Sequence, residues 1–178
     1  LTALGVRFTD ARGRVVDPGA LGMASIASVD WSDAVPIPSG GVVVLCDVDN
    51  PLLGPTGAAQ VFAPQKGFAE HELPVESSLA HLAELYGIDP AIPGTGAAGG
   101  AALALHAWGS ELVPGAQVVG ELLGIRDTVQ QLALEGPCLV VTGEGSFDAQ
   151  SAHGKAPSFI IRAAEDAGAD LAIVAGRV

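Results

Sequence analysis

Positive charge is what this sequence has least of. Lys and Arg together number 8 against 20 Asp and Glu in 178 residues, and the only lysines are Lys66 and Lys155. A net charge of −12 with no basic stripe repels a phosphate backbone, which makes nucleic acid a poor partner. An anionic small molecule fits only where a local ammonium and free N–H groups reverse that field. Aromatic residues are 4% of the chain, so its core has to be built from Ala, Val, Leu and Ile. The two cysteines, Cys46 and Cys138, lie inside apolar runs and read as buried, reduced thiols. No apolar run is long enough for a membrane span, and the start carries no basic region followed by an apolar stretch, so no signal peptide is visible. A cytoplasmic protein with no membrane partner is the expectation.

What the chain does have is 49% hydrophobic residues and 24 glycines, a globular α/β composition. The length allows one ordinary domain or two small lobes. The opening at Leu1 without Met, and the stop just after the strand-like LAIVAG, lead us to expect a piece of a longer protein. Pattern and punctuation predict strands over 6–9, 14–16, 42–48, 138–142 and 171–175. Four consecutive apolar residues, Val42 to Leu45, predict a strand covered on both faces. Helices are predicted over 19–27, 56–62, 75–86, 97–108, 116–123, 126–134 and 157–167. In the 75–86 helix Leu79, Leu82, Leu85 and Tyr86 share a face, and Pro74 falls in the first turn. The segment from Cys138 to Ala175 has a β-loop-α-β rhythm of Rossmann type. A lobe boundary is expected between Pro90 and Pro114.

Both lysines follow acid-tipped, strand-like runs and stand beside glycine. Asp47 and Asp49 end the first run, and their spacing of two puts both carboxylates on one face of a strand. The carboxyl end of a strand is where open α/β sheets bind ligands, so these acids are candidates for a magnesium ligand or a base; an Asx-turn before Asn50-Pro51 is the alternative. Gln65, Lys66 and Gly67 form a loop that leaves the ammonium available. Gly94, Gly96 and Gly99 match GxGxxG, yet Pro90 and Pro93 argue against the preceding strand that a dinucleotide fingerprint needs. Glycines at the mouth of an Ala-rich helix can seat a phosphate on exposed N–H groups, or can simply allow tight packing. Thr142, Gly143, Glu144 and Gly145 lead to Asp148, Gln150, His153 and Lys155, but Ala156 after the lysine breaks the Walker pattern. His71, His81 and His106 read as surface or packing residues. No histidine pair has metal-ligand spacing, which disfavours zinc, and no serine or cysteine has a nucleophile's setting.

Three long motifs, CDVDNPLLGPTGAAQVFAPQKG, PGTGAAGGAALAL and LVVTGEGSFDAQSAHGKAP, occur in order between about Leu4 and Gly176 and resemble the bacterial-type glycerate kinase family. Two departures are Ser146, where many members carry Arg, and Ala101-Ala102, where Met-Gly is more usual. The resemblance implies a two-lobed α/β architecture, here part of a Rossmann-like lobe plus an inserted α/β lobe with a mixed sheet. Residues 1–105 would belong to the inserted lobe and 106–178 to the Rossmann-like one. It further implies phosphorylation of D-glycerate with ATP and Mg2+ in an interlobe cleft, by an enzyme about twice as long. On that reading Asp47 and Asp49 hold magnesium or orient the hydroxyl, and Lys66, Lys155 and Asp148 serve the reacting groups. Asn50, Gln65, Gly94, Gly96, Gly99, Gly100, Thr142, Gly143, Glu144, Gly145, Gln150 and His153 would line the substrate and nucleotide sites. A non-catalytic binding or scaffold fragment and a metal-dependent phosphatase are the alternatives, and self-association stays open.

Overall fold

The structure, a computed structural model, describes residues 1–63, 72–145 and 156–177. The chain divides into two compact units, Leu1–Leu112 and Val113–Val178.

The first unit opens with a 3-10 turn, Thr2–Leu4, and strand β1, Arg7–Thr9. Asp10 then organises the turn expected around Gly13. Its carboxylate accepts the N–H groups of Arg12 and Arg14 and the Nε of Arg14, and the Arg14 bonds hold its pKa below the ordinary carboxylate value. Helix α1, Ala20–Met23, is far shorter than the 19–27 predicted. The chain leaves it because the Ala27 N–H donates to the Thr9 carbonyl at 2.8 Å, which starts strand β2, Ser28–Asp30, antiparallel to β1. That strand gives no periodic signal in the sequence. Strand β3, Val43–Cys46, precedes α2, Ala58–Phe62, α3, Glu72–Tyr86, α4, Ala97–Trp108, and strand β4, Glu111–Pro114. Strands β3 and β4 pair, with the Glu111 N–H on the Val42 carbonyl.

The main core lies where α2, α3 and α4 meet: Leu52, Ala58, Ala59, Leu79, Leu82, Ala83 and Leu103 are buried together, and Leu85 and Tyr86 pack against them. The shared face read from the sequence of α3 is therefore its core face. Glu76 ties α3 to the preceding turn by accepting the Gln60 amide and the Gly54 N–H, contacts that depress its pKa in that order. A second cluster joins Val44, Cys46 and Val48 to Ala97, Ala102 and Leu112. Strand β3 does not fulfil the two-sided burial predicted for it. Val44 and Cys46 face α4, whereas Val43 and Leu45 stay about half exposed because no described element packs on their side.

The second unit holds α5, Gly115–Leu122, α6, Ile125–Glu135, β5, Leu139–Glu144, α7, Ala156–Ala167, and β6, Asp170–Ala175. Strands β5 and β6 run parallel in register Leu139 to Asp170 through Glu144 to Ala175, as the predicted β-loop-α-β rhythm requires. Helix α7 packs on α5, α6 and both strands. Gly120 on α5 has no room for a side chain, because a methyl there would overlap the ring of the buried Phe159. Arg126 lies 5.4 Å above that ring and pairs with Asp166. The fold is mixed α/β, with one parallel and one antiparallel strand pair among its small sheets. Among the described residues no helix is long and apolar enough to cross a membrane.

Tyr86 is the chain's sole tyrosine, edge-on to Trp31 at 5.9 Å, and burial pushes its phenol up to about 12. An unfolded phenol titrates near ~10, so the unfolded chain gives up its proton first and stability falls as pH rises from there through the folded value. Tyrosinate absorbance of the folded protein is expected to show one transition near the higher value; a midpoint at the unfolded value would mean that the ring is solvated.

Candidate active site: an acid loop laced to a glycine loop

Strand β3 ends at Cys46, and both carboxylates predicted at its tip follow it on an exposed loop, Asp47 and Asp49 alternating with the half-buried Val48 and Asn50. Three backbone hydrogen bonds fix that loop. The Gly94 N–H donates to the Asp49 carbonyl (3.1 Å), the Gly96 N–H to the Asn50 carbonyl (3.0 Å), and the Leu52 N–H to the Pro90 carbonyl (2.9 Å). The Asn50 amide Nδ2 donates to the Thr56 carbonyl at 2.7 Å and closes the turn that leads into α2. Among the described residues neither Asp47 nor Asp49 closes the Asx-turn that was the alternative reading, and both stay exposed.

Of the two readings of the glycine loop, a phosphate cradle or tight packing, its backbone bonds match the second. Gly94 and Gly96 bond the acid loop, and the N–H groups of Gly99 and Gly100 both donate to the Gly96 carbonyl. These donors are spent within the chain, and what glycine supplies here is room and backbone freedom. A methyl on Gly96 would overlap the Pro51 carbonyl oxygen, and one on Gly94 would press to 3.2 Å from the Cys46 sulfur. Ala98, Gly99 and Gly100 are left-handed, so regular helix begins only at Ala101, one turn later than predicted. Ala98 is the only non-glycine residue among those described with positive φ, a conformation that costs about 1–3 kcal/mol.

Two buried residues, Thr95, which the sequence reading passed over, and Cys46, which it read as a buried thiol, anchor this arrangement. Thr95 is completely buried, with its hydroxyl donating to the Ile92 carbonyl at 2.7 Å. Its place between two glycines was the available signal, since a buried polar residue there needs a local acceptor. The buried Cys46 thiol lies 3.8 Å from the Gly94 carbonyl, and its pKa is raised by burial and then by the charge on Asp47. Held neutral, it is a packing group and not a nucleophile. His81 and His106 bond the carbonyls of Ile26 and Ser110, in keeping with packing roles.

In the second unit Thr142, Gly143 and Glu144 form the carboxyl end of β5, with Gly145 following. Gly143 is required by the Val174 carbonyl, which a methyl would overlap. The Glu144 Oε1 is buried and has no hydrogen-bond partner among the described residues, an acceptor that a ligand's ammonium, hydroxyl or cation would satisfy. Gln65, Lys66, His71, Ser146, Asp148, Gln150, His153 and Lys155 lie outside the described residues.

With that geometry in place, comparison with known proteins decides the family. The profile of the glycerate kinase family matches residues 1–178, the whole chain. This chain belongs to the glycerate kinase family. It is 37% identical over 163 residues to a protein named glycerate 2-kinase of Escherichia coli K12, covering 87% of this chain and 42% of that one. It is 34% identical to a glycerate kinase of Bacillus subtilis, covering 100% of this chain and 47% of that enzyme. A crystal structure provisionally named glycerate kinase 2, from Salmonella typhimurium LT2, superposes with a TM-score of 0.73 at 34% identity, over 99% of this chain and 48% of its own. The chain spans about half the length of these relatives.

Lacing of the acid loop by Gly96 is testable without any ligand. Gly96→Ala is expected to lower the unfolding free energy by about 1–3 kcal/mol, the usual cost of overpacking. Gly40→Ala, where a methyl meets open space, should stay within about 0.5 kcal/mol of the parent. Urea melts of the two variants read the difference, and equal midpoints would show that the two loops are not locked together.

Proposed function

We propose that this chain supplies acid-loop and strand-end residues to a glycerate kinase that moves the γ-phosphoryl group of ATP to a hydroxyl of D-glycerate. The observation that carries this reading is the pair Asp47 and Asp49, exposed at the carboxyl end of β3 on a loop with no freedom to drift, in a chain matched throughout by the family. In the transfer, the glycerate hydroxyl oxygen forms a bond to the γ-phosphorus while the bond to the bridging oxygen of ADP breaks. The hydroxyl proton passes to a carboxylate, Asp47 or Asp49. Positioning and charge stabilisation dominate such reactions, so no covalent intermediate is required. The Escherichia coli relative's name, glycerate 2-kinase, favours the 2-hydroxyl as acceptor.

Magnesium, when bound, neutralises phosphate charge. Two carboxylates, with the remaining positions left to phosphate and water, are a donor set that suits it, and Asp47 and Asp49 are the residues that would hold it. Lys66 and Lys155 are assigned to the phosphates and the glycerate carboxylate, where a local ammonium offsets the net charge of −12. Asp148 supplements the acids, and Gln65, Gln150 and His153 are assigned to polar contacts with the substrates. Gly94, Gly96, Gly99 and Gly100 act by holding the acid loop, and Glu144 accepts a hydrogen bond from the ligand with its unpaired oxygen. A non-catalytic binding role is the second reading, favoured by the half-length match to the relatives.

The test uses this chain alone and grafted in place of the matched span of the Escherichia coli relative. Calorimetry with ATP, magnesium and glycerate is run beside a coupled ADP assay. Turnover in the graft, with kcat lowered about 10²–10⁴-fold by Asp47→Asn and no loss of melting temperature, is the expected result. Binding without turnover in a folded graft selects the non-catalytic role. Inorganic phosphate released from phosphoglycerate without nucleotide selects a phosphatase.

A further inference from the structure

The first unit holds a cavity of about 540 Å³ between α2, α3 and α4, with Gly19 and Met23 bordering it as well. That volume falls within the roughly 300–1,000 Å³ of small-molecule sites. Phe62, Val75 and Leu79 supply apolar walls, and among the described residues that line it none has a polar or charged side chain. The remaining wall is the left-handed turn at the start of α4, from Ala98 to Ala101. Ala98, Gly99 and Ala101 are exposed, which puts the mouth of the cavity at this wall. The identity of Ala98 is informative. A left-handed φ favours glycine, and the chain has glycine at the next two positions, yet at 98 it carries a methyl that borders the cavity. A strained residue held by rigid surroundings at a cavity wall marks a functional contact.

We propose that this cavity receives the purine base of the nucleotide substrate. The proposal rests on the kinase reading, which offers two substrates. Glycerate, a small polar anion, would lose hydration against apolar walls with no partner to replace it. In the nucleotide only the base has uncharged, apolar faces. The wiring of the glycine loop agrees with that choice. The N–H groups of Gly99 and Gly100 are spent on the Gly96 carbonyl, so those donors are closed to a phosphate while the wall keeps its apolar surface. Proximity agrees too. Ala98 stands two residues after Gly96, whose N–H bonds the Asn50 carbonyl, and two residues span at most about 7 Å. A base seated against Ala98 therefore lies within reach of the acid loop through its own triphosphate chain.

The test is calorimetry on the chain grafted into the Escherichia coli relative, with ATP and with inorganic tripolyphosphate, which has the phosphates without the base. Ala101→Leu extends an exposed side chain across the mouth. Affinity for ATP is expected to fall about tenfold or more, the order of a lost apolar contact with a base, while affinity for tripolyphosphate and the melting temperature stay unchanged. Equal losses for both probes, or no loss for ATP, in a graft that melts as its parent does would overturn the proposal. Ala98→Gly removes the methyl and relieves the left-handed backbone. A raised melting temperature together with weaker ATP binding is the expected result, a combination that a purely structural methyl does not give, and unchanged ATP affinity defeats the proposed contact. The kinase reading fails separately: a parent graft that binds ATP, loses it to Ala101→Leu and forms no ADP keeps the base pocket and gives up the transfer. A parent that binds no ATP gives up both.

Discussion

The first unit depends on the hydrogen bonds that run from the 90–96 loop to the 49–52 loop. Each joins main-chain atoms, so none depends on a titrating group, and together they fix the backbone on which Asp47 and Asp49 stand. The acids can then remain exposed and charged without costing the fold a buried ion. Leu52, directly below, is completely buried, and that anchors the same loop in the core from the opposite side. Stability and candidate chemistry are separated by a few residues: the backbone of this loop serves one and its carboxylates the other.

That division explains what could be read in advance. The core face of α3 and the β5-α7-β6 unit were legible because periodicity and burial are local matters, set by side chains a few positions apart. The position of Asp47 and Asp49 just after a strand was legible because a strand tip followed by acids is a local pattern too. The role of the glycines was not, since Gly94, Gly96 and Gly100 are dictated by atoms of Cys46, Pro51 and Leu79, distant in sequence. A GxGxxG string is compatible with a phosphate cradle or with two backbones in contact, and only the partners of its N–H groups decide. Strand β2 escaped for a related reason: its three residues become a strand only by pairing with β1.

Glu144 shows the opposite relation between site and fold. A buried carboxylate oxygen without a partner is unfavourable for the chain by itself, by about 1–3 kcal/mol or more for a charged group. Backbone constraint surrounds it, for Gly143 is forced by the Val174 carbonyl and the Gly176 N–H bonds the Glu144 carbonyl. The main chain at this strand end is therefore fixed while one side-chain acceptor is left open. Strain or an unmet polar group held by rigid surroundings is the pattern expected where a ligand completes the structure.

The exposed sides of the strands account for part of the apolar composition. A chain with 49% hydrophobic and 16% charged residues is richer in apolar side chains than its own two units bury. Part of the surplus appears as Val43 and Leu45 on one side of β3 and as Leu139, Val141 and Val174 on the β5–β6 pair, and the rest lies elsewhere, as at Leu122, Leu123 and Leu134. At β3 the opposite side is the one that packs against a helix of the same unit. Alternation along a strand makes this unavoidable: side chains that point away from the single covering helix have nowhere apolar to go unless a second layer is added. The run Val42 to Leu45, read from the sequence as a strand buried on both faces, carries residues suited to two layers although the described residues supply only one.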